Sequence, residues 1–200
     1  MSVWLEWRGT PALHASAVDI DGSVAAFLGH NGAGKSALAV AMVGGGAGLV
    51  SDDILALKPT PGAILATCSY PRFRLWPEEA AFLPKEGLDL TERNDENLKV
   101  SFPAGGPRGW GSFAHRVLPL GAIYLLERRR TTEDDPLVRF GPVTSGAALI
   151  ELVRHSFVAE VIAPLGWQPR RLSVLAEVVR RVPVWTVQYA SGREHLPTVC

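Results

Sequence analysis

Cysteine is scarce: Cys68 and Cys200 are the only two in 200 residues, which excludes a disulfide framework and a cysteine-built metal centre and fits a reducing compartment. No stretch reaches about eighteen uninterrupted apolar residues, so no membrane-spanning helix is expected. Met1 to Arg8 lacks a basic segment followed by an apolar core, so no secretory signal is expected and the reading is a soluble cytoplasmic chain. Charge of either sign is not in excess, with 20 acidic and 20 basic residues, which removes the electrostatic case for a nucleic-acid or membrane partner. Lysine is sparse beside arginine, and the runs Arg128-Arg129-Arg130, Arg170-Arg171 and Arg180-Arg181 read chiefly as solvated faces. His115, His155 and His195 are scattered without metal-ligand spacing and read as structural or solvent-facing.

What is present is a phosphate-binding pattern, Gly29-His30-Asn31-Gly32-Ala33-Gly34-Lys35-Ser36, that is, Gly, four residues, then Gly-Lys-Ser. The apolar run Val24 to Leu28 reads as a buried strand that delivers the chain to this loop. Gly29, Gly32 and Gly34 permit the left-handed turns that aim backbone N–H groups inward as an anion nest. Lys35 reaches the β- and γ-phosphates and Ser36 offers a hydroxyl to Mg²⁺. Ala37 to Met42 has helix-forming composition, so the positive end of a helix faces the phosphates. A nucleoside triphosphate and Mg²⁺ are the expected cofactors.

In chain order, Val3 to Trp7 alternates as a half-buried strand, and Asp21-Gly22 joins the strand-like runs 12–20 and 23–28 as an antiparallel hairpin. A strand pair thus precedes the phosphate loop, unlike the commonest nucleotide-binding architecture, where the loop follows the first strand. After the helix, Gly44 to Gly48 frees the chain to turn, and Leu49-Val50 leads to Ser51-Asp52-Asp53. Two carboxylates shortly after a phosphate loop suit a kinase, which needs one acid for Mg²⁺ and another near the acceptor hydroxyl. Adjacent strand residues point to opposite faces, so both serve one site only if the strand ends at Ser51.

Gly62 to Tyr70 reads as a strand, Pro71 to Pro77 as an aromatic and arginine segment in which Arg72 or Arg74 faces either solvent or a phosphate, and Glu78 to Leu83 as a helical turn. Residues 84–115 read as loop around a short strand at Leu98–Phe102. Val117 to Leu126 is a buried strand, Thr144 or Ser145 caps a helix over much of Gly146–Ile162, Pro169 opens a second helix through Val182, and Val184 to Tyr189 is a final strand. A single domain spanning 1–200 is expected.

Leu13-His14-Ala15-Ser16, the hairpin into Gly29–Ser36, and Leu49 to Asp53 resemble the catalytic domain of the bacterial HPr serine kinase/phosphorylase family and its shorter kinase-like relatives, most strongly over residues 12–57. The resemblance implies an α/β phosphate-loop kinase core related to phosphoenolpyruvate carboxykinase. It would have a mixed sheet, an antiparallel hairpin before the loop and C-terminal helices. It further implies ATP- and Mg²⁺-dependent phosphorylation of a serine on a protein or peptide. By matching position, His14 is the active-site histidine, Lys35 and Ser36 the phosphate and metal ligands, and Asp52 and Asp53 the acid pair, with Asp52 on the metal side and Asp53 as base. The family's amino-terminal regulatory domain has no room ahead of the hairpin, and the segment associated with phosphorylase activity is not found. Compact relatives of this kind include tailoring kinases for ribosomally made peptides such as lasso peptides, so a peptide serine is an expected acceptor. A small-molecule phosphate-loop kinase and a non-catalytic nucleotide-binding regulatory protein are the alternatives; homo-oligomerisation is left open.

Overall fold

A computed structural model describes residues 2–81, 83, 88–92, 99–129, 136–156 and 165–190. The chain begins with α1 (Ser2–Trp7). Five residues of alternation suggest a strand, but the ends of the segment fix a helix instead. Arg8, Gly9 and Thr10 donate backbone hydrogen bonds to Trp4, Glu6 and Leu5, and Gly9 takes a φ of 73° that stops the turn. Polar Glu6 is the buried residue of this helix, while Val3 and Trp7 are exposed, the reverse of the faces a strand pattern implies. The Glu6 carboxylate accepts a hydrogen bond from the Ala12 N–H at 3.0 Å and pairs with Arg171 at 3.4 Å.

The hairpin of β1 (Ala12–Ile20) and β2 (Ser23–Leu28) forms as its Asp-Gly turn dictates, with Asp21 at φ 50° and Gly22 at φ 85°. The Asp19 carboxylate accepts the Gly22 N–H at 2.8 Å. β2 feeds the phosphate loop and α2 (Lys35–Gly44). The chain then returns as β3 (Gly48–Pro59), β4 (Ile64–Thr67) and β5 (Arg72–Leu75), followed by the short helix α3 (Pro77–Ala80). β3 is longer than the sequence suggests and runs straight through Asp52 and Asp53. Residues 88–115 also hold more regular structure than a loop: β6 (Thr91–Glu92), β7 (Val100–Pro103) and β8 (Ser112–Phe113). β9 (Leu118–Arg129), an unanticipated β10 (Val138–Pro142), α4 (Ser145–Arg154), α5 (Gln168–Arg181) and β11 (Val184–Ala190) complete the described chain. The expected continuation of α4 over 157–162 lies outside the described residues, as do His195, Cys200 and Arg130.

The fold is mixed α/β. An eight-stranded sheet has the order β10-β11-β9-β2-β1-β3-β4, with β8 beside β3. β9 runs parallel to β2 and β11, the other long neighbours are antiparallel, and β4 also meets the start of β9 at Leu118 and Pro119. Strand alternation divides the core accordingly. Leu13, Ala15, Val24, Ala26 and Leu28 face the side covered by α4 and α5, while Val18, Ala25 and Phe27 face α2. A second sheet, β5-β7-β6, packs onto the α2 side through Phe73, Leu75 and Phe102. The phosphate loop therefore lies between the large sheet and this smaller one. No helix among the described residues is long and apolar enough to cross a membrane.

Candidate active site

The phosphate loop has the backbone its glycines allow. Gly32 and Gly34 sit at φ 81° and 89°, and Gly34 is the left-handed N-cap of α2. No side chain caps this helix end, so its free N–H groups and dipole face the loop cavity. Lys35 is buried, and its ammonium donates to the carbonyls of Gly29 at 2.8 Å and His30 at 3.3 Å. Burial chiefly, then the nearby Lys99 charge, lowers its pKa against the pull of Asp52 and Asp53. Among the loop residues, Ala33, Gly34 and Lys35 are buried, whereas His30, Asn31 and Gly32 are exposed at its rim.

The acid pair comes to the same cavity by a different route from the one expected. In the β1–β3 register Asp52 lies opposite Ser16 and Asp53 opposite Ala15. Alternation sends Asp52 toward the phosphate loop and Asp53 toward the far apolar face with Ala15 and Leu55. Asp53 escapes that fate through a φ of 112°, one of two positive values among the described non-glycine residues. Its neighbours hold the bend: the Ser51 hydroxyl donates to the Ile54 carbonyl, and Ser69 donates through its hydroxyl to Ser51 and through its N–H to Val50. The strand need not end at Ser51 for both carboxylates to serve one site; it needs only this residue turned.

Asp52 is buried and accepts hydrogen bonds from the Ser16 hydroxyl at 2.6 Å, the Ser36 hydroxyl at 2.7 Å and the Arg74 N–H at 2.9 Å. Burial raises its pKa, these three bonds oppose the rise, and the Asp53 charge adds to it. Asp53 lies 3.1 Å from His14 Nδ1 and 3.8 Å from Arg74. Burial alone would raise its pKa. The hydrogen bond from His14, with the charges of His14, Arg74 and Lys99, outweighs burial and holds the carboxyl below its ordinary value. One cavity is lined by His14, Lys35, Ser36, Asp52 and Asp53 together with Arg74, Trp76, Glu79 and Lys99. Of the residues selected from the sequence, His14, Asn31, Gly32, Gly34, Lys35, Ser36, Asp52 and Asp53 line this cavity, whereas Gly29 and His30 line a separate one.

Several residues of the site were not visible in the sequence. Ser16 lies within Leu13–Ser16, but its bond to Asp52 follows only from the β1–β3 register. Tyr189 on β11 donates its hydroxyl to the Ala33 carbonyl in the middle of the loop, and Arg128 on β9 donates to that hydroxyl at 3.3 Å and meets Glu79 at 3.4 Å. Arg128 is therefore engaged beneath the loop and is not merely a solvated face. His155, read as one of the scattered histidines, caps the end of α4 behind the site. Its carbonyl accepts the His14 N–H at 2.7 Å and its ring stands edge-on to His30 at 5.4 Å. Of the other arginines, Arg72 bonds Ser101 and Arg181 bonds Glu177 and the Thr60 carbonyl, away from the cavity. His115 packs against Phe113, also away from it. Among the described residues no cluster of three or more His, Cys, Asp or Glu could hold a metal by itself.

No protein-family model matches the chain, and no curated protein matches it. Among solved structures, the Hpr(Ser) kinase/phosphatase from Coxiella burnetii is similar at 14% identity, with 94% of this chain and 90% of that chain covered and a TM-score of 0.44.

Proposed function

We propose that the chain is an ATP- and Mg²⁺-dependent kinase that phosphorylates a serine hydroxyl of a protein or ribosomally made peptide, in the manner of HPr kinase-like enzymes. The observation that carries this reading is the division of labour in the acid pair: one carboxylate bonds the phosphate-loop serine and the other bonds a histidine, 3.1 Å away, on the adjacent strand.

The residues fit the nucleotide and its metal. Among the described residues the buried Lys35 ammonium donates to loop carbonyls, the uncapped N-terminus of α2 offers N–H donors, and Ser36 and Asp52 form a hydroxyl and carboxylate pair of the hard-oxygen kind that Mg²⁺ takes together with phosphate oxygens. When bound, MgATP supplies the phosphoryl group and charge neutralisation at its oxygens. Ser36 and Asp52 would hold the metal, and the loop N–H groups and Lys35 would hold the phosphates. Asp53 accepts the acceptor's proton. His14 fixes the orientation of that carboxylate, while Tyr189 fixes the loop. Phosphoryl transfer is largely loose, so aiming the hydroxyl matters more than the basicity of a carboxylate.

Incubation with γ-labelled ATP, Mg²⁺ and either serine peptides or small alcohols tests the reading. Label on peptide serine that disappears in Lys35→Ala is the expected result. Label on small alcohols alone would replace it with a small-molecule kinase, and nucleotide binding without any labelled acceptor with a regulatory protein.

A further inference from the structure

The cavity has two unlike sides. The large sheet and the loop contribute groups with assigned work: Lys35 and Ser36 for phosphate and metal, Asp52 beside them, and His14 with Asp53. The smaller sheet contributes Arg74 from β5, Trp76 just beyond it and Lys99 just before β7, three residues to which the proposed function assigns no role toward MgATP.

This wall is placed and charged for the acceptor. Arg74 is anchored at its backbone, whose N–H donates to Asp52 at 2.9 Å, and its guanidinium ends 3.8 Å from Asp53, the carboxylate that receives the acceptor hydroxyl. A hydroxyl bonded to Asp53 therefore brings its neighbouring groups within reach of Arg74. The Lys99 ammonium stands over the Trp76 ring, 5.3 Å from its centroid, which stations the charge at the cavity rather than leaving it to roam. Its field reaches both Asp53 and Lys35. Trp76 is 37% exposed and presents a flat apolar face at the same wall. A neutral alcohol gains nothing from two cations here; a hydroxyl flanked by carboxylates does.

We propose that Arg74, Trp76 and Lys99 form the acceptor-recognition wall of the site and select a serine flanked by acidic residues, the acidic groups pairing with Arg74 and Lys99 while the peptide chain lies against Trp76. The inference rests on the kinase reading above. Each partly exposed charge pair contributes roughly a two- to fivefold preference, so the two cations together favour an acidic over an amide-substituted acceptor by about tenfold, the preference shrinking as salt is raised.

Three matched serine peptides, flanked by Asp and Glu, by Asn and Gln, or by Lys, serve as probes of the purified protein. Transfer is measured as kcat/KM, and binding is measured separately by anisotropy of the same labelled peptides. The expected order is acidic, then amide, then basic, expressed in KM and in binding. The acidic preference should shrink in Lys99→Gln to the roughly two- to fivefold share of Arg74, and should nearly vanish in Lys99→Glu, where the new carboxylate opposes that share. Equal transfer to all three peptides overturns the wall and leaves the kinase reading standing. Absence of transfer to any peptide, with acidic-selective and Lys99-dependent binding, overturns the kinase reading and leaves the wall; absence of selective binding overturns the wall in either case. Lys99→Arg, which keeps the charge, should restore the preference that Lys99→Gln loses, an outcome that a purely packing role for the lysine would not give.

Discussion

The Tyr189 hydroxyl donates a hydrogen bond to the Ala33 carbonyl, fastening the last described strand to the middle of the phosphate loop across 156 residues of chain. A side chain added at Gly34 would strike this same hydroxyl and the Arg128 guanidinium, so the tyrosine fills the space the glycine leaves. The loop is thus shaped from beneath by β9 and β11 as well as by its own glycines. In Tyr189→Phe the ring remains and the donor is lost. The change also strips Arg128 of its acceptor, so two bonds are lost at about 1 kcal/mol each, and loosening of the loop should weaken ATP binding several-fold. Denaturant unfolding and ATP titration of the variant check both; unchanged nucleotide affinity would leave the bond a purely structural one.

Lys35→Ala should abolish transfer and sharply weaken ATP binding, because the ammonium is the buried cation at the loop. Ser36→Ala should instead raise the Mg²⁺ concentration needed for half-maximal transfer, since it removes a hydroxyl bonded to Asp52 at 2.7 Å. A Mg²⁺ titration superimposable on that of the unmodified protein counts against the metal role of Ser36.

His155 makes folding stability depend on pH. Burial, first, pushes its imidazole down from 6.5 to about 4; Glu151 opposes the fall, and the charges of His30, Lys35 and His14 add to it. The unfolded chain binds this proton more readily than the folded one, so the stabilisation is complete above about pH 6.5 and is lost as pH falls toward 4. The full difference corresponds to at most about 3 kcal/mol. Urea midpoints at pH 7 and pH 4.5 should therefore diverge more in the unmodified protein than in His155→Gln, which keeps the backbone carbonyl that accepts the His14 N–H. Equal divergence in the two proteins would assign the acid sensitivity to other groups.

The parts of the site legible in the sequence were those written in contiguous residues. Gly29–Ser36 carries its own turn chemistry, and Asp21-Gly22 specifies a hairpin with the positive φ values it needs. The pair Asp52-Asp53 was visible as chemistry but not as geometry, because alternation forbids two neighbours on one face and nothing in the residue types announces the φ of 112° that circumvents it. Tyr189, Arg128 and His155 reach the loop through the parallel β2-β9-β11 order and the tie between α4 and β1, which only long-range pairing creates. At the amino terminus, the short alternation of Val3 to Trp7 lost to local helix bonds and to the buried Glu6, whose carboxylate finds Ala12 and Arg171 only in the folded chain.

The two aspartates should separate on mutation. Asp53→Asn is the informative change, because asparagine tolerates the positive φ that alanine or a branched residue would resist, so backbone strain does not confuse the result. It retains a hydrogen-bond acceptor for His14 but cannot take a proton from the acceptor hydroxyl. MgATP binding should persist, since Ser36 and Asp52 are bonded to each other independently of Asp53. Transfer should fall on the order of a hundredfold or more, the range over which a positioned base acts. Asp52→Asn should instead weaken Mg²⁺-dependent ATP binding along with transfer. The pH profile adds a sign. His14 and the flanking cations hold the Asp53 carboxyl below its ordinary value, so in the unmodified protein the base stays ionised, and its share of activity stays intact, to lower pH than for an ordinary aspartate. His14→Ala removes the first of the restraints that offset burial, and should move the acidic limb of the transfer rate to higher pH. Titrating MgATP binding and measuring single-turnover transfer across pH on these variants decides the assignment. Tight binding with near-normal transfer in Asp53→Asn would remove the base role, and loss of both would move Asp53 to the metal.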